Sequence, residues 1–416
     1  MGFVTPFLRP SVAATTLLIS VSPAAVLNAQ DTSGHQVSLS VQQRLDYASN
    51  PDLNIDETDS EFFATTEFTL NVTRETAAHE FSFGAAFDLI AGRDDDDRNG
   101  FSNPNLRVDY AQESAAGTFE LNAFLNEIDV DTLDFIEDVD VGTVSSVSGT
   151  GTRRRVGGGA SYSFGRDATF GGSVLLNLRD TTYSDTTDTS LTDTQRTTLG
   201  TDLRFDLSPV TRATLALRHT TLEEEGQADE DIDSATLSLV KDLPNGSVTF
   251  RASATDQDSG TRKKFDLRRT LDLPRGDLRF NLGVTDPIEG SEALVGGVTW
   301  RHDLPRGEMQ LRLGHDVTGD EQEDETRISS VSFRLEQQIT TRWNSNFLLS
   351  YRDSRNQQSG QNTETTRVSL NFDYELTQDW DMRFGAEHRR RDRSLSGTAD
   401  NTRVFMALRR DFDWAR

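Results

Sequence analysis

The chain contains no cysteine. That removes disulfides, thiolate metal sites and cysteine nucleophiles in one step. An exported protein without disulfides needs another closure, and a continuous backbone hydrogen-bond ladder is one. Long hydrophobic runs are missing as well. Hydrophobic residues make up 34% of the 416 positions, and beyond the N-terminus no segment could span a bilayer as a helix. Basic charge is scarce: 42 Lys and Arg stand against 68 Asp and Glu, a net charge of −26. Such a balance argues against a nucleic-acid partner, whose phosphates demand a basic patch. Low hydrophobicity with high net charge is the composition of disordered chains. The aromatics contradict that reading, because 24 Phe, 6 Tyr and 4 Trp recur along the whole sequence.

Residues 1–29 read as a secretory signal peptide. Arg9 is the one charge before Asp31, and Ser11 to Asn28 is apolar or small, broken at Pro23. Its apolar run is shorter than the ~20 residues of a membrane helix, and small residues allow cleavage between Ala29 and Gln30. The mature part, 30–416, is expected to be a single domain.

From residue 36 onward the dominant period is two. Phe62, Ala64, Thr66, Phe68, Leu70 and Val72 share one register, with Glu67, Thr69, Asn71 and Thr73 on the other, and Phe81, Phe83, Ala85, Phe87 and Leu89 repeat the scheme. Val368, Leu370, Phe372, Tyr374 and Leu376 repeat the scheme, followed by Trp380, Met382, Phe384 and Ala386. Such alternation means strands with one greasy and one wet face. Soluble sandwiches also alternate, but here the connections sort by parity into short and long. Short ones include Ser208-Pro209-Val210, Pro244-Asn245-Gly246, Pro274-Arg275-Gly276 and Pro305-Arg306-Gly307, with the residues tight hairpins require. Long ones include Ile90–Asn103, Asp129–Thr152, Thr181–Asp193, Glu223–Asp231, Gly319–Thr326, Asp353–Glu364 and Arg391–Asn401. Asp129–Gly151 has room for an additional hairpin. Asp242-Leu243-Pro244, Asp272-Leu273-Pro274 and Asp303-Leu304-Pro305 recur roughly every 30 residues, one hairpin per repeat.

These features predict an all-β fold: a single transmembrane antiparallel up-and-down β-barrel of about 20 strands (18–22), with short periplasmic turns and long extracellular loops. Neither a plug domain nor a periplasmic helical domain is evident. Val404, Met406, Leu408, Phe412 and Trp414 share one face of the last strand. That strand resembles the C-terminal strand of Gram-negative outer-membrane proteins, which the outer-membrane assembly machinery reads. It departs in Ala415-Arg416 after the aromatic residue and in Arg410 on the apolar face. Alternating hairpins with Pro-containing turns over the whole mature chain resemble the beta-barrel porin 2 family. The resemblance implies an outer-membrane location and a porin-like role.

With the apolar face on lipid, the other face lines the lumen. It places Arg204, Arg212, Arg218, Arg251, Arg268, Arg279, Arg301, Arg312, Arg334, Arg367, Arg383 and Arg409 inward. Asp202, Asp206, Asp266, Asp316, Asp373, Glu375, Asp381 and Glu387 join them. An arginine ladder would attract anionic solutes, whereas a salt-bridged wall would stiffen a wide barrel. Arg389, Arg390, Arg391 and Arg393, with Arg153-Arg154-Arg155, form the densest basic clusters and suit lipopolysaccharide phosphates beside membrane lipids. Acidic runs fall in the outer loops: Asp94–Asp97, Glu223–Glu225 and Asp320–Glu325. Asp94–Asp97 lacks the alternating ligands and closing Glu of a calcium loop. Of the six His, four (His79, His219, His315 and His388) fall in the lipid-facing register. No Gly-x-Ser-x-Gly, His-Glu-x-x-His or phosphate loop occurs. The expectation is a non-enzymatic, cofactor-free, porin-like passive channel for small or anionic solutes. The alternatives are a conduit for an anionic extracellular polysaccharide and a closed structural or adhesive barrel.

Overall fold

The computed structural model describes residues 34–415 except 54, 56–58, 94–98, 131–134, 139–142, 147–150, 187–190, 289, 320–324, 358 and 396. The signal-peptide expectation for 1–29 and the acidic runs at 94–97 and 320–324 therefore lie outside the described residues.

The chain proceeds through β1 (Gly34–Ala48), β2 (Glu61–Glu75), β3 (His79–Ala91), β4 (Gly100–Glu113), β5 (Gly117–Asp129), β6 (Phe135–Asp138), β7 (Thr143–Ser146), β8 (Thr152–Phe164), β9 (Phe170–Ser184), β10 (Thr194–Ser208) and β11 (Thr211–Glu224). It continues through β12 (Glu230–Leu243), β13 (Gly246–Gln257), β14 (Gly260–Leu273), β15 (Gly276–Asp286), β16 (Ala293–Leu304), β17 (Gly307–Gly319), β18 (Glu325–Gln338), β19 (Trp343–Asn356), β20 (Asn362–Glu375), β21 (Trp380–Arg393) and β22 (Gly397–Ala415). All but β6 and β7 belong to one 20-stranded antiparallel sheet, each strand paired with its sequence neighbours. β1 also pairs with β22, from Gln36 opposite Ala415 to Ala48 opposite Arg403, and this closes the barrel. Closure leaves no strand edge unpaired.

One end of the barrel carries only short links: 76–78, 114–116, 165–169, 209–210, 244–245, 274–275, 305–306, 339–342 and 376–379. Gly246 and Gly276, at φ +117° and +112°, follow two of these turns; a Cβ there would meet a backbone carbonyl oxygen at 2.2 and 2.0 Å. The other end carries longer links, up to 130–151. Its parity is not absolute, because β13 and β14 are separated by two residues and β21 and β22 by three. Several loops are also shorter than the sequence suggests. Asp353–Glu364 reads as a loop, yet Ser354 pairs with Thr363 and Arg355 with Asn362. These strands continue beyond the apolar belt, where both faces are polar and alternation disappears.

The 130–151 link contains the additional hairpin, β6 against β7. β7 reaches β17, which stands opposite β5 and β8 in the closed strand order, so β7 lies on the far side of the barrel mouth from the strands that flank it in sequence. The large apolar side chains lie on the outer surface instead of forming a core: Phe62, Leu199, Leu207, Phe265, Leu282 and Leu294 are each more than half exposed. Such a surface is stable only against lipid or detergent.

Candidate functional site: the lumen wall

The two faces of the sheet can be told apart by contacts between strands that are not neighbours. Lys264 on β14 bonds Asp316 on β17 at 2.7 Å, and Arg262 on β14 bonds Glu325 on β18 at 3.0 Å. Chords of this kind run only through the concave side. Following the register from Lys264 and Asp316 puts all twelve arginines named above on that same side. Phe250, Phe265, Phe280, Leu313 and Val331 occupy the opposite, outer side.

Nine of these twelve arginines have a carboxylate within 4.0 Å: Arg204 and Arg212 share Asp206, Arg218 meets Asp202, and Arg279 and Arg301 share Asp277. Arg334 meets Glu336, Arg367 meets Glu387, Arg383 meets Asp373, and Arg409 meets Asp411. Arg204 is further pinned to the 165–169 turn, donating to the carbonyls of Gly165, Arg166 and Ala168. The wall is therefore mostly salt-bridged. Arg251, Arg268 and Arg312 differ, having no carboxylate within that distance among the described residues; Arg251 donates to Ser238 Oγ at 3.4 Å.

Next to the long links the barrel carries several buried ion pairs. Asp46, fully buried, accepts from Arg44 at 2.8 Å and Arg403 at 2.7 Å. Arg93 bonds Glu61 at 2.5 Å and Asp52 at 3.0 Å, and its guanidinium lies 4.9 Å from the Phe63 ring centre. Glu325, also fully buried, accepts from Arg262 and from the backbone N–H of Ile288, which ties the 287–292 link inward. Apart from Arg44 with Asp46, two residues apart on β1, these partnerships are not visible in the sequence, because they join different strands or links of the closed sheet.

The basic clusters do not form single patches. Alternation sends Arg389, Arg391 and Arg393 inward and Arg390 outward; Arg153 and Arg155 face in and Arg154 out. The four outward histidines each meet a cross-strand partner: His79 with Tyr110, His219 with Asp233, His315 with Ser329 and His388 with Thr402. His315 and Ser329 make a hydroxyl–imidazole pair at 2.9 Å. The acid in that row, Asp353, stands beyond Ser329 rather than behind the imidazole, so it does not orient the ring as a base. No group of three or more His, Asp or Glu is placed to hold a metal ion among the described residues.

A feature the sequence reading missed is a pair of lumen-facing glycines on β8. Gly157 stands opposite Phe124 and Arg179, and Gly159 opposite Asn122 and Asn177. The Gly157-Gly158-Gly159 run was the available signal, but its partners are defined only by register.

No family model and no curated protein sequence matches this chain. The likeness to the beta-barrel porin 2 family thus rests on pattern alone. Solved structures do resemble it. The siderophore receptor PirA from Acinetobacter baumannii aligns with TM-score 0.56 at 7% identity, over 93% of this chain and 81% of that one. PirA from Pseudomonas aeruginosa aligns with TM-score 0.52 at 10% identity, over 91% and 80%. A mutant of the ferric enterobactin receptor PfeA from Pseudomonas aeruginosa gives TM-score 0.52 at 10% identity, over 90% and 80%. At such identities the likeness concerns the fold alone, and that fold is an outer-membrane β-barrel.

Proposed function

We propose that this protein is a passive outer-membrane channel for small solutes, with a preference for anions, and that it works without catalysis or a cofactor. The observation that carries the reading is the closed 20-stranded barrel with a charged concave wall and an apolar outer belt. Barrels of 16–18 strands already enclose an aqueous channel. In this reading the short turns face the periplasm and the long links face outside, as in up-and-down outer-membrane barrels. The anion preference is assigned to Arg251, Arg268 and Arg312, none of which has a carboxylate within 4.0 Å among the described residues, Asp266 standing opposite Arg251 without an ion pair. The salt-bridged arginines serve the wall's rigidity instead. On the outer surface, Arg154 and Arg390 remain as contacts for lipopolysaccharide phosphates, and β22 as the strand offered to the assembly machinery.

A second reading, a closed structural barrel, is favoured by one observation: β7 reaches β17 across the mouth. Conductance of the refolded protein in planar bilayers separates the two. A steady ohmic current whose reversal potential shifts towards the anion in a salt gradient supports the channel. Cation selectivity removes the anion preference, and the absence of any current leaves the closed barrel.

A further inference from the structure

On β18 and β19 the outer face turns from apolar to polar towards the long-link end. Phe333 and Val331 lead to Ser329 and Arg327, and Leu349 and Tyr351 lead to Asp353 and Arg355. Arg327 and Arg355 stand directly opposite each other, both exposed. Like charges in that position repel unless an anion lies between them. The chain supplies none, for neither guanidinium makes a hydrogen bond or an ion pair with any described residue. Asp353 and Glu364, one row nearer the apolar belt, pair with neither arginine; Glu364 is engaged by the Tyr351 hydroxyl and by Asn362 Nδ2, each at 3.2 Å. Arg327 lies four residues beyond Val331. At ~3.4 Å per residue and a tilt of ~40° that is roughly 10 Å along the membrane normal, a headgroup depth rather than a hydrocarbon one.

Below this pair the outer face carries a groove of about 770 Å³ that crosses β15 to β19. Leu282, Leu294, Leu313, Val331 and Tyr351 line it, with Gly296 in its floor. A Cβ on Gly296 would first meet backbone atoms of Asn281 and Leu282, at 2.8 and 3.6 Å, so main chain rather than a packed side chain forms the floor there. Leu282 and Leu294 stay 64% and 68% exposed beside it. Five strands at a spacing of ~4.8 Å make the groove roughly 19 Å long, comparable to the ~15 Å of hydrocarbon in one leaflet. Its upper edge is the His315–Ser329 pair, and Ser329 is two residues from Arg327. A surface that calls for hydrocarbon thus adjoins one that calls for an anion.

We infer that Arg327 and Arg355, with the groove beneath them, bind a phosphate-bearing membrane lipid. Its phosphate bridges the two guanidiniums, whose planar donors match phosphate oxygens, and an acyl chain lies over Gly296. The site is on the outside of the wall, so the inference goes beyond the channel reading and holds whether or not the lumen conducts. With the long links facing outside, the phosphate-bearing lipid of that leaflet is lipid A.

The test titrates the folded full-length protein in an uncharged detergent with lipid A and with lipid A stripped of its phosphates. Binding is read by native mass spectrometry, and folding is checked by the mobility of the unheated barrel on a gel. Lipid A is expected to bind at least about tenfold more tightly than the dephosphorylated lipid, the loss of one charge-assisted contact being worth that much. Arg327→Gln and Arg355→Gln are each expected to weaken lipid A by about tenfold and to leave the dephosphorylated lipid unchanged. Val331→Trp, which fills the groove, should weaken both lipids. Equal affinity for the two lipids would overturn the inference, as would lipid A affinity that is undetectable or unchanged in the folded double arginine variant. Inorganic phosphate that displaces lipid A at equal concentration would reduce the site to simple anion attraction and overturn it too. Unchanged lipid A binding in folded Val331→Trp would do the same, since the acyl chain would then lie elsewhere.

Discussion

Replacing Phe250 by arginine tests which face of the wall meets lipid. Phe250 lies on the outer face of β13, opposite Leu239 and Leu267. It is the fourth residue after Gly246, where the strand leaves the 244–245 turn. Four residues at ~3.4 Å and a strand tilt of ~40° place it roughly 10 Å above the turn, close to the middle of a ~25 Å apolar band. An arginine near the midplane costs about 2–4 kcal/mol. Thr249, one position earlier, faces the lumen between Val240 and Arg268. Thr249→Arg adds a like charge opposite Arg268, which costs about 0.2–1 kcal/mol. The two substitutions should thus differ by at least about 1 kcal/mol, roughly a fivefold to tenfold change in the unfolding equilibrium. The assay is reversible urea unfolding in phospholipid vesicles followed by tryptophan fluorescence. Leu311→Arg and Gln310→Arg repeat the comparison on β17, where Gln310 lies between Arg301 and Arg334. Equal losses within both pairs, or larger losses at the lumen positions, would refute the assignment of faces.

Three further expectations follow from the same geometry. Replacing Arg251, Arg268 and Arg312 together by Gln should lower the anion-to-cation permeability ratio, while Arg279→Gln with Arg301→Gln should lower stability and leave selectivity nearly unchanged. The reverse pattern in reversal potentials would sink the distinction between offset and unoffset arginines. Asp46→Ala should destabilise the barrel by about 2–3 kcal/mol, below the usual ~3–5 for breaking a buried pair, because Arg44 and Arg403 remain 31% and 30% exposed; an unchanged urea midpoint would count against it. The chain has no native cysteine, so Gly226→Cys and Arg275→Cys can be labelled cleanly on intact cells. Reaction at 226 and not at 275 is expected, and the opposite result inverts the orientation.

The barrel itself was legible because each strand repeats one physical demand, apolar outside and polar inside. Strand ends were not, since Ser354 and Thr363 pair where lipid no longer selects for apolar residues. Inward apolar residues such as Phe63, Phe124 and Val295 carry no alternation signal either, because they answer to lumen packing. The twelve arginines share one face by parity, as the strand register also has them, but their charge balance was not readable. Asp277 serves Arg279 on its own strand and Arg301 on the neighbouring one, and Lys264 reaches Asp316 three strands away. Parity also divided the Arg389–Arg393 run, which composition alone presents as one basic patch.

The β1–β22 pairing joins residues between 355 and 379 positions apart, from Ala48 with Arg403 to Gln36 with Ala415. Every other ladder of the barrel is a local hairpin. The entropy of drawing the two ends together is therefore concentrated in a single step, on the order of 5 kcal/mol for a loop of that length. Until that step, the half-made sheet presents two bare margins, β1 and the latest strand added, both able to template a foreign strand. Loss of β22 removes more than one twentieth of the sheet: β1 and β21 stay open, and the nearest strands able to cover them belong to another copy of the chain.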